Sequence, residues 1–264
     1  MPEKLPPGSS AFPFGEVTVH VHRPPTFTAT ASPILMVMHG RKRNAAEYRD
    51  YFVPESTRRG FLVVAPEFDE ARYPHPQGYN YGNMVDASGA ALPRDRWIFP
   101  MLRAIYEEVR ARAGSKRERF FLFGHSAGSQ LVHRLATFGW IDAIERVVAA
   151  NAGSYTMPLR GERFPHGLDG TDTSDDDLRR LFSRPLVVLL GDQDVDENDP
   201  ELPTGPEAMR QGAFRLARGR RYFDTAREEA ARLSAPFNWK LAIAPGVAHS
   251  GHDMAPFAVR ELRL

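Results

Sequence analysis

The chain has 264 residues, 42% of them hydrophobic, which is enough to build the core of one large α/β domain. Its 34 Lys and Arg are matched by 33 Asp and Glu, mixed along the chain to a net charge of +1, so the one-sided basic field of a nucleic-acid binder is missing. No apolar run is long enough to span a membrane, residues 1–15 are too rich in Pro and polar side chains for a signal peptide, and without Cys there are no disulfides or thiolate metal sites.

The chain as given therefore reads as cytoplasmic, with no nucleic-acid or membrane partner; a secreted form whose signal had been removed would read the same way. Residues 1–14 are expected to be irregular. Residues 16–22 alternate Val with polar residues as a strand does, and residues 33–38 form a continuous apolar run ending in His39-Gly40, the pattern of a buried strand. Asn44, with Glu47 three positions on, predicts the cap of a helix over residues 45–58 that breaks at Pro54. Residues 61–65 make the next buried strand, and residues 67–93, rich in Tyr, Pro, Asn and Gly without periodicity, a long loop. A helix is predicted over 97–113, a strand over 120–123 and a helix over 126–138. Two more buried strands follow at 147–150 and 186–190, separated by a polar insertion over 153–184 with one short helix near 177–182. The composition of residues 212–233 is that of a surface helix, residues 239–244 read as the last strand, and 254–264 as a closing helix. This alternation predicts a mostly parallel, doubly wound sheet with helices on both faces, in a single domain over 1–264.

The most informative stretch is Gly124-His125-Ser126-Ala127-Gly128, between the apolar Phe120-Phe121-Leu122-Phe123 and the helix that follows. A Gly-x-Ser-x-Gly sequence in that setting is a nucleophile elbow: the strand turns sharply into the helix, and the serine hydroxyl is thrust into open space. In doubly wound sheets ligands bind outside the carboxyl ends of the strands. His39-Gly40, Ser126, Gly191-Asp192-Gln193-Asp194 and His249 all lie just past predicted strands, in the order Ser, Asp, His.

On these residues the chain resembles the α/β-hydrolases over roughly residues 17–260, with His39-Gly40, the 124–128 pentapeptide, Gly191-x-x-Asp194 and Gly246-Val247-Ala248-His249 at the family's oxyanion, nucleophile, acid and base positions. Within that superfamily it is most similar to the small esterases grouped with polyhydroxyalkanoate depolymerases and feruloyl esterases, which have little or no lid. The resemblance implies a cofactor-free serine hydrolase acting on a small-molecule or polymeric carboxylic ester. Ser126 would be the nucleophile, His249 the base and Asp194 its acid partner, with Asp192 and Asp196 as neighbouring acids and His252 as a rival base. The backbone N–H groups of Ala127 and Arg41 would hold the oxyanion. The interval from Asp194 to His249 is longer than the family's, because residues 200–233 lie within it. The same triad would serve a serine peptidase or amidase; a metal-dependent hydrolase and a binding protein with a vestigial triad are the other readings.

Further residues stand out. His20 and His22 share a strand face and could begin a metal site, but no matching carboxylate ligands accompany them, so no metal is expected. The acidic run Asp192, Asp194, Asp196, Glu197 and Asp199 lacks the glycine and the closing glutamate of a calcium loop. Residues 169–177 read as a solvated loop with a helix cap. His125 is expected to pack beside the site and line a substrate pocket, and Tyr79, Tyr81 and Trp97 either line that pocket with it or pack against the core. The cluster Arg41, Lys42 and Arg43 is either solvated loop charge or an attractor for a carboxylate-bearing substrate.

Overall fold

Every strand that reads as a continuous apolar run in the sequence is buried on both of its faces in the computed structural model, which describes residues 3–264. The strands are β1 (Gly8–Phe14), β2 (Val17–Arg23), β3 (Ile34–Met38), β4 (Leu62–Glu67), β5 (Phe120–His125), β6 (Ile144–Ala150), β7 (Leu186–Gly191) and β8 (Lys240–Ala244). They form one sheet in the order β1-β2-β4-β3-β5-β6-β7-β8, antiparallel at β1, β2 and β4 and parallel from β4 onward. The helices are α1 (Ala45–Tyr51), α2 (Val53–Arg59), α3 (His75–Gly78), α4 (Ile98–Ala113), α5 (Ala127–Phe138), α6 (Asp175–Ser183), α7 (Pro206–Gln211), α8 (Arg215–Arg232) and α9 (Gly251–Leu262).

Because side chains alternate across a strand, each parallel strand divides its apolar residues between two cores. Ile34, Met36, Met38, Leu122, Val147 and Val188 face the layer of α4, α5, α6 and α8, where Leu102, Ile105, Leu131, Leu178 and Tyr222 pack on them. Leu35, Val37, Phe123, Val148 and Leu189 face the other layer, made by Ala45 and Tyr48 of α1, Phe52, and Met254, Ala255 and Val259 of α9. In α4 the spacing of Ile98, Leu102, Ile105 and Val109 puts the buried residues on one stripe.

Several boundaries differ from the sequence expectation. Residues 8–14 are not irregular: β1 pairs with β2 through a two-residue turn whose first residue, Gly15, has φ +55°. As the edge strand β1 buries one side chain, Phe12, and tolerates Pro13, so it carries no apolar signal. Asn44 does not cap α1, because its amide bonds the Glu47 carboxylate instead of a backbone N–H, and the expected break falls at Phe52 with Pro54 in the first turn of α2. The long loop holds the short helix α3, the closing helix starts at Gly251 rather than Met254, and the 200–233 segment contains α7 as well as α8. The helix in the 153–184 insertion begins with a full capping box between Ser174 and Asp177. No helix among the described residues is long and apolar enough to cross a membrane.

Candidate active site

Ser126 stands at the end of β5 with φ 56° and ψ −115°, a conformation that side-chain-bearing residues rarely adopt and that the surrounding packing must enforce. Two glycines make the turn possible. A Cβ on Gly124 would stand 2.2 Å from the Gly128 carbonyl oxygen, and one on Gly128 would stand 2.2 Å from that of Met38, so the strand, the helix and the neighbouring strand approach as closely as backbones can.

The turn aims the hydroxyl at His249. Ser126 Oγ lies 3.0 Å from His249 Nε2, and His249 Nδ1 lies 2.8 Å from Asp194 Oδ2. Asp194 is buried and held from three sides: its N–H donates to the Gly191 carbonyl at 3.3 Å, its own carbonyl accepts from Leu216 N–H at 3.2 Å, and its second carboxylate oxygen faces Arg215 at 3.5 Å. The alternative acids are engaged elsewhere. Asp192 Oδ1 accepts from Gly246 N–H at 2.7 Å and Asp196 Oδ1 from Asn198 N–H at 2.9 Å. His252 is not on the loop with His249; it is an exposed residue in the first turn of α9, bonded to Asp253.

Above Ser126 the His39-Gly40 turn is built to present a backbone N–H. His39 Nε2 accepts from Phe68 N–H at 3.1 Å, which leaves Nδ1 as the protonated nitrogen, and that donates to the Gly40 carbonyl at 2.9 Å. Burial holds the ring neutral, pushing its pKa down to about 3 against the opposing Gly40 hydrogen bond. Because C=O and N–H of one peptide point in opposite directions, fixing the Gly40 carbonyl also fixes the direction of the Arg41 N–H. Among the described residues that N–H donates to no protein acceptor, and Ala127, the first residue of α5, has no intrahelical acceptor for its own.

The other residues singled out from the sequence are placed as follows. His125 is buried, accepts or donates at Nδ1 with the Tyr48 hydroxyl at 2.8 Å, and packs its ring 4.7 Å from that of His249. Burial first, and then the charges of His249 and Arg215, keep it well below the usual histidine pKa. Tyr79, Tyr81 and Trp97 do not line the space around Ser126. Tyr79 is fully buried, stacked on His39 at 4.4 Å and bonded to its carbonyl, so it supports the His39-Gly40 turn from behind. Tyr81 packs against Phe164 and under the Arg134 guanidinium, and Trp97 lines a separate groove with Met84, Leu92 and Phe138. An aromatic-rich loop sequence does not tell a pocket wall from a core plug, because both need large apolar side chains.

The cation cluster divides as well. Arg43 is buried over the Tyr79 ring and donates to Glu70 and to the carbonyls of Phe68, Tyr73 and His75, whereas Arg41 and Lys42 are exposed at the mouth of the site. His20 bonds Glu67 at 2.7 Å and His22 bonds Ser9 at 3.0 Å; no group of three or more His, Cys, Asp or Glu among the described residues could hold a metal ion. The acidic run does not form a cation loop either, since Asp194 and Asp199 both face Arg215.

Two residues that the sequence did not single out shape the site. Asn151, at φ 48° past the end of β6, accepts from Gly191 N–H at 3.0 Å and donates to the Ala248 carbonyl at 3.4 Å, joining the turns that carry Asp194 and His249. Arg215 sits behind Asp194 with 1% of its side chain exposed. A lone Asn after a strand, or one Arg in an Arg-rich helix, gives no sequence signal, because the partners lie 40 or more residues away for Asn151 and 16 and 21 residues away for Arg215.

No protein-family model matches the chain, and no curated protein matches it. Among solved structures the chain is similar to poly(aspartic acid) hydrolase-1 of Sphingomonas sp. KT-1, with 38% identity over 98% of this chain and 100% of that one and a TM-score of 0.94. It is similar to a poly(3-hydroxybutyrate) depolymerase of Bordetella parapertussis, with 37% identity over 96% of this chain and 89% of that one and a TM-score of 0.90. A fluorophosphonate-binding serine hydrolase of Staphylococcus aureus shares the fold alone, at 18% identity over 98% of each chain and a TM-score of 0.60.

Proposed function

The chain belongs to the α/β-hydrolase superfamily, among its hydrolytic esterases and depolymerases, and from that premise we propose that it cleaves carboxylic esters through an acyl-enzyme on Ser126. The observation that carries the reading is the continuous hydrogen-bonded line from Ser126 Oγ through both nitrogens of His249 to Asp194. A serine hydroxyl is inert at its free pKa, and the line supplies what it lacks: a base in contact and a carboxylate that fixes that base's tautomer.

In the proposed reaction His249 Nε2 takes the Ser126 proton as the Oγ–carbon bond forms at the ester carbonyl. The resulting oxyanion accepts from the N–H groups of Ala127 and Arg41. Its collapse breaks the bond to the leaving oxygen, which receives the proton from His249. Water then attacks the acyl-enzyme, giving its proton to His249; the second collapse breaks the Oγ–carbon bond, and the proton returns to Ser126. Asp194 stays ionised and stabilises the imidazolium in both halves. The names of the two similar hydrolases extend the expected substrates to polymers as well as small esters. One of those names specifies poly(aspartic acid), a polyamide, and this favours amide cleavage by the same groups as the second reading.

The test is Ser126→Ala. The folded variant should lose p-nitrophenyl ester hydrolysis, and a fluorophosphonate probe should label the parent and not the variant. A parent that cleaves esters yet stays unlabelled would exclude the serine mechanism.

A further inference from the structure

Two chambers meet at Ser126. Resting on the serine-esterase reading, we propose that the chamber lined by His249 receives the leaving group and the one lined by Ala127 and Gln130 receives the acyl group, a short chain carrying a hydrogen-bond acceptor. The first chamber, about 280 Å³, lies between the 40–44 turn, α1 and the start of α9, with Tyr48, Tyr51, His125 and His252 in its walls. The second, about 400 Å³, lies on the other side of the nucleophile, bounded by Asn80, Gln130, Gly153 and the 200–204 segment. Arg41 and Glu201 line both and form the threshold between them.

Proton transfer decides which chamber does which. When the acyl–oxygen bond breaks, the leaving oxygen must take the proton from His249 Nε2, and a proton moves only across hydrogen-bond contact of about 3 Å. The leaving group therefore lies on the His249 side. His249 lines the first chamber and not the second; Ala127 lines the second and not the first. With the carbonyl oxygen directed at the Ala127 and Arg41 amides, the acyl substituent points into the second chamber.

The chemistry of that chamber sets the acyl class. Gln130 Oε1 lies 3.4 Å from Arg134 Nη1, and an arginine can only donate, so this atom is the carbonyl oxygen and Nε2 is turned away from it. Nε2 faces the chamber wall, where a Cβ on Gly153 would stand 3.4 Å from it, and among the described residues it donates to no protein acceptor. The Arg43 and Arg215 charges that reach this chamber are already committed to Glu70 and Asp199. Arg41 lies at the threshold shared with the first chamber; the donors that belong to this chamber alone and are not tied to a carboxylate include the neutral Gln130, Asn80 and Thr204 side chains, with Leu202 and the prolines as its apolar lining. They suit an acyl chain with a carbonyl or hydroxyl oxygen better than an alkyl chain of equal length.

The experiment measures kcat/KM for two pairs of esters on the full chain. p-Nitrophenyl levulinate and p-nitrophenyl valerate share a leaving group and an acyl chain length; p-nitrophenyl levulinate and ethyl levulinate share an acyl group. Gln130→Leu should lower the levulinate-to-valerate ratio about tenfold, the value of one neutral hydrogen bond, and leave the aryl-to-ethyl ratio within about twofold. Tyr51→Ala should do the reverse, lowering the aryl-to-ethyl ratio several-fold while the acyl ratio and the burst-measured deacylation rate hold. Thr204→Val, on the exposed wall, repeats the acyl test should Gln130→Leu fail to fold. Reversed sensitivities, or labelled variants whose ratios do not move, would overturn the chamber assignment. An unlabelled parent in the fluorophosphonate control would instead overturn the mechanism beneath it.

Discussion

Arg215→Met probes how the fold holds Asp194, the acid of the proposed triad. The guanidinium has 1% of its surface exposed and stands 2.6 Å from Asp199 Oδ2 and 3.5 Å from Asp194 Oδ1. Two unit charges at that range interact by about 4 kcal/mol at an effective dielectric near 20, and removing one partner of a buried ion pair costs about 3–5 kcal/mol because the other is left uncompensated. For a chain of this size 1 kcal/mol moves Tm by about 2–4 °C, so the variant should melt about 6–20 °C below the parent. The loss should depend on pH. Burial opposes ionisation of Asp199, yet the Arg215 hydrogen bond and the Glu201 backbone N–H outweigh it and hold the carboxyl below its usual range. A carboxyl with a depressed folded pKa adds stability that is complete above its unfolded value near 4 and is lost as the pH falls through the folded value. The gap between parent and variant in circular-dichroism melts should therefore be full at pH 5 and above and narrow in more acid solution. Below the variant's Tm, kcat should fall about 10²-fold, inside the roughly 10⁴ that loss of a triad carboxylate costs, and Arg215→Lys should recover part of it. A variant with unchanged kcat, or a melting gap that stays constant down to pH 3, would refute the reasoning.

Two further outcomes are expected. Asp194→Asn should lower kcat by up to about 10⁴ and Asp192→Asn far less, since Asp192 binds Gly246 N–H rather than His249; by the same geometry His249→Ala should abolish turnover while His252→Ala stays substantially active. Lys42→Glu, which leaves the Arg41 amide in place, should raise KM for an ester bearing a carboxylate near its scissile bond and weaken the salt dependence of its turnover, with little change for a neutral ester of equal size. Arg43 is omitted from that test because it is tied to Glu70 and three backbone carbonyls.

The parallel strands are legible because β3, β7, residues 120–123 of β5 and residues 147–150 of β6 are buried on both faces and apolar throughout, whereas β1 carries no such signal because an edge strand needs only Phe12 inside. Ser126 and His249, which the structure brings within 3.0 Å, stand out in sequence because the pentapeptide around the first and the turn before the second are local patterns. What the sequence conceals is the bracing of the site's walls. Residues 212–233 read as a surface helix, yet Arg215, Arg218, Tyr222, Ala226 and Ala230 of α8 form its buried stripe. Arg218 donates to the carbonyls of Gly212, Gly153 and Pro203, and Arg134 to those of Asn80, Gln130 and Pro165. Burial pushes the pKa of both down to about 10, which leaves them charged at neutral pH, so these are charge-assisted bonds that pin Gly153, Pro203 and Asn80 around the second chamber. A carbonyl acceptor is present at every residue and leaves no mark in composition or spacing. An arginine that holds loops by their backbone therefore looks, in sequence, the same as one that meets only water.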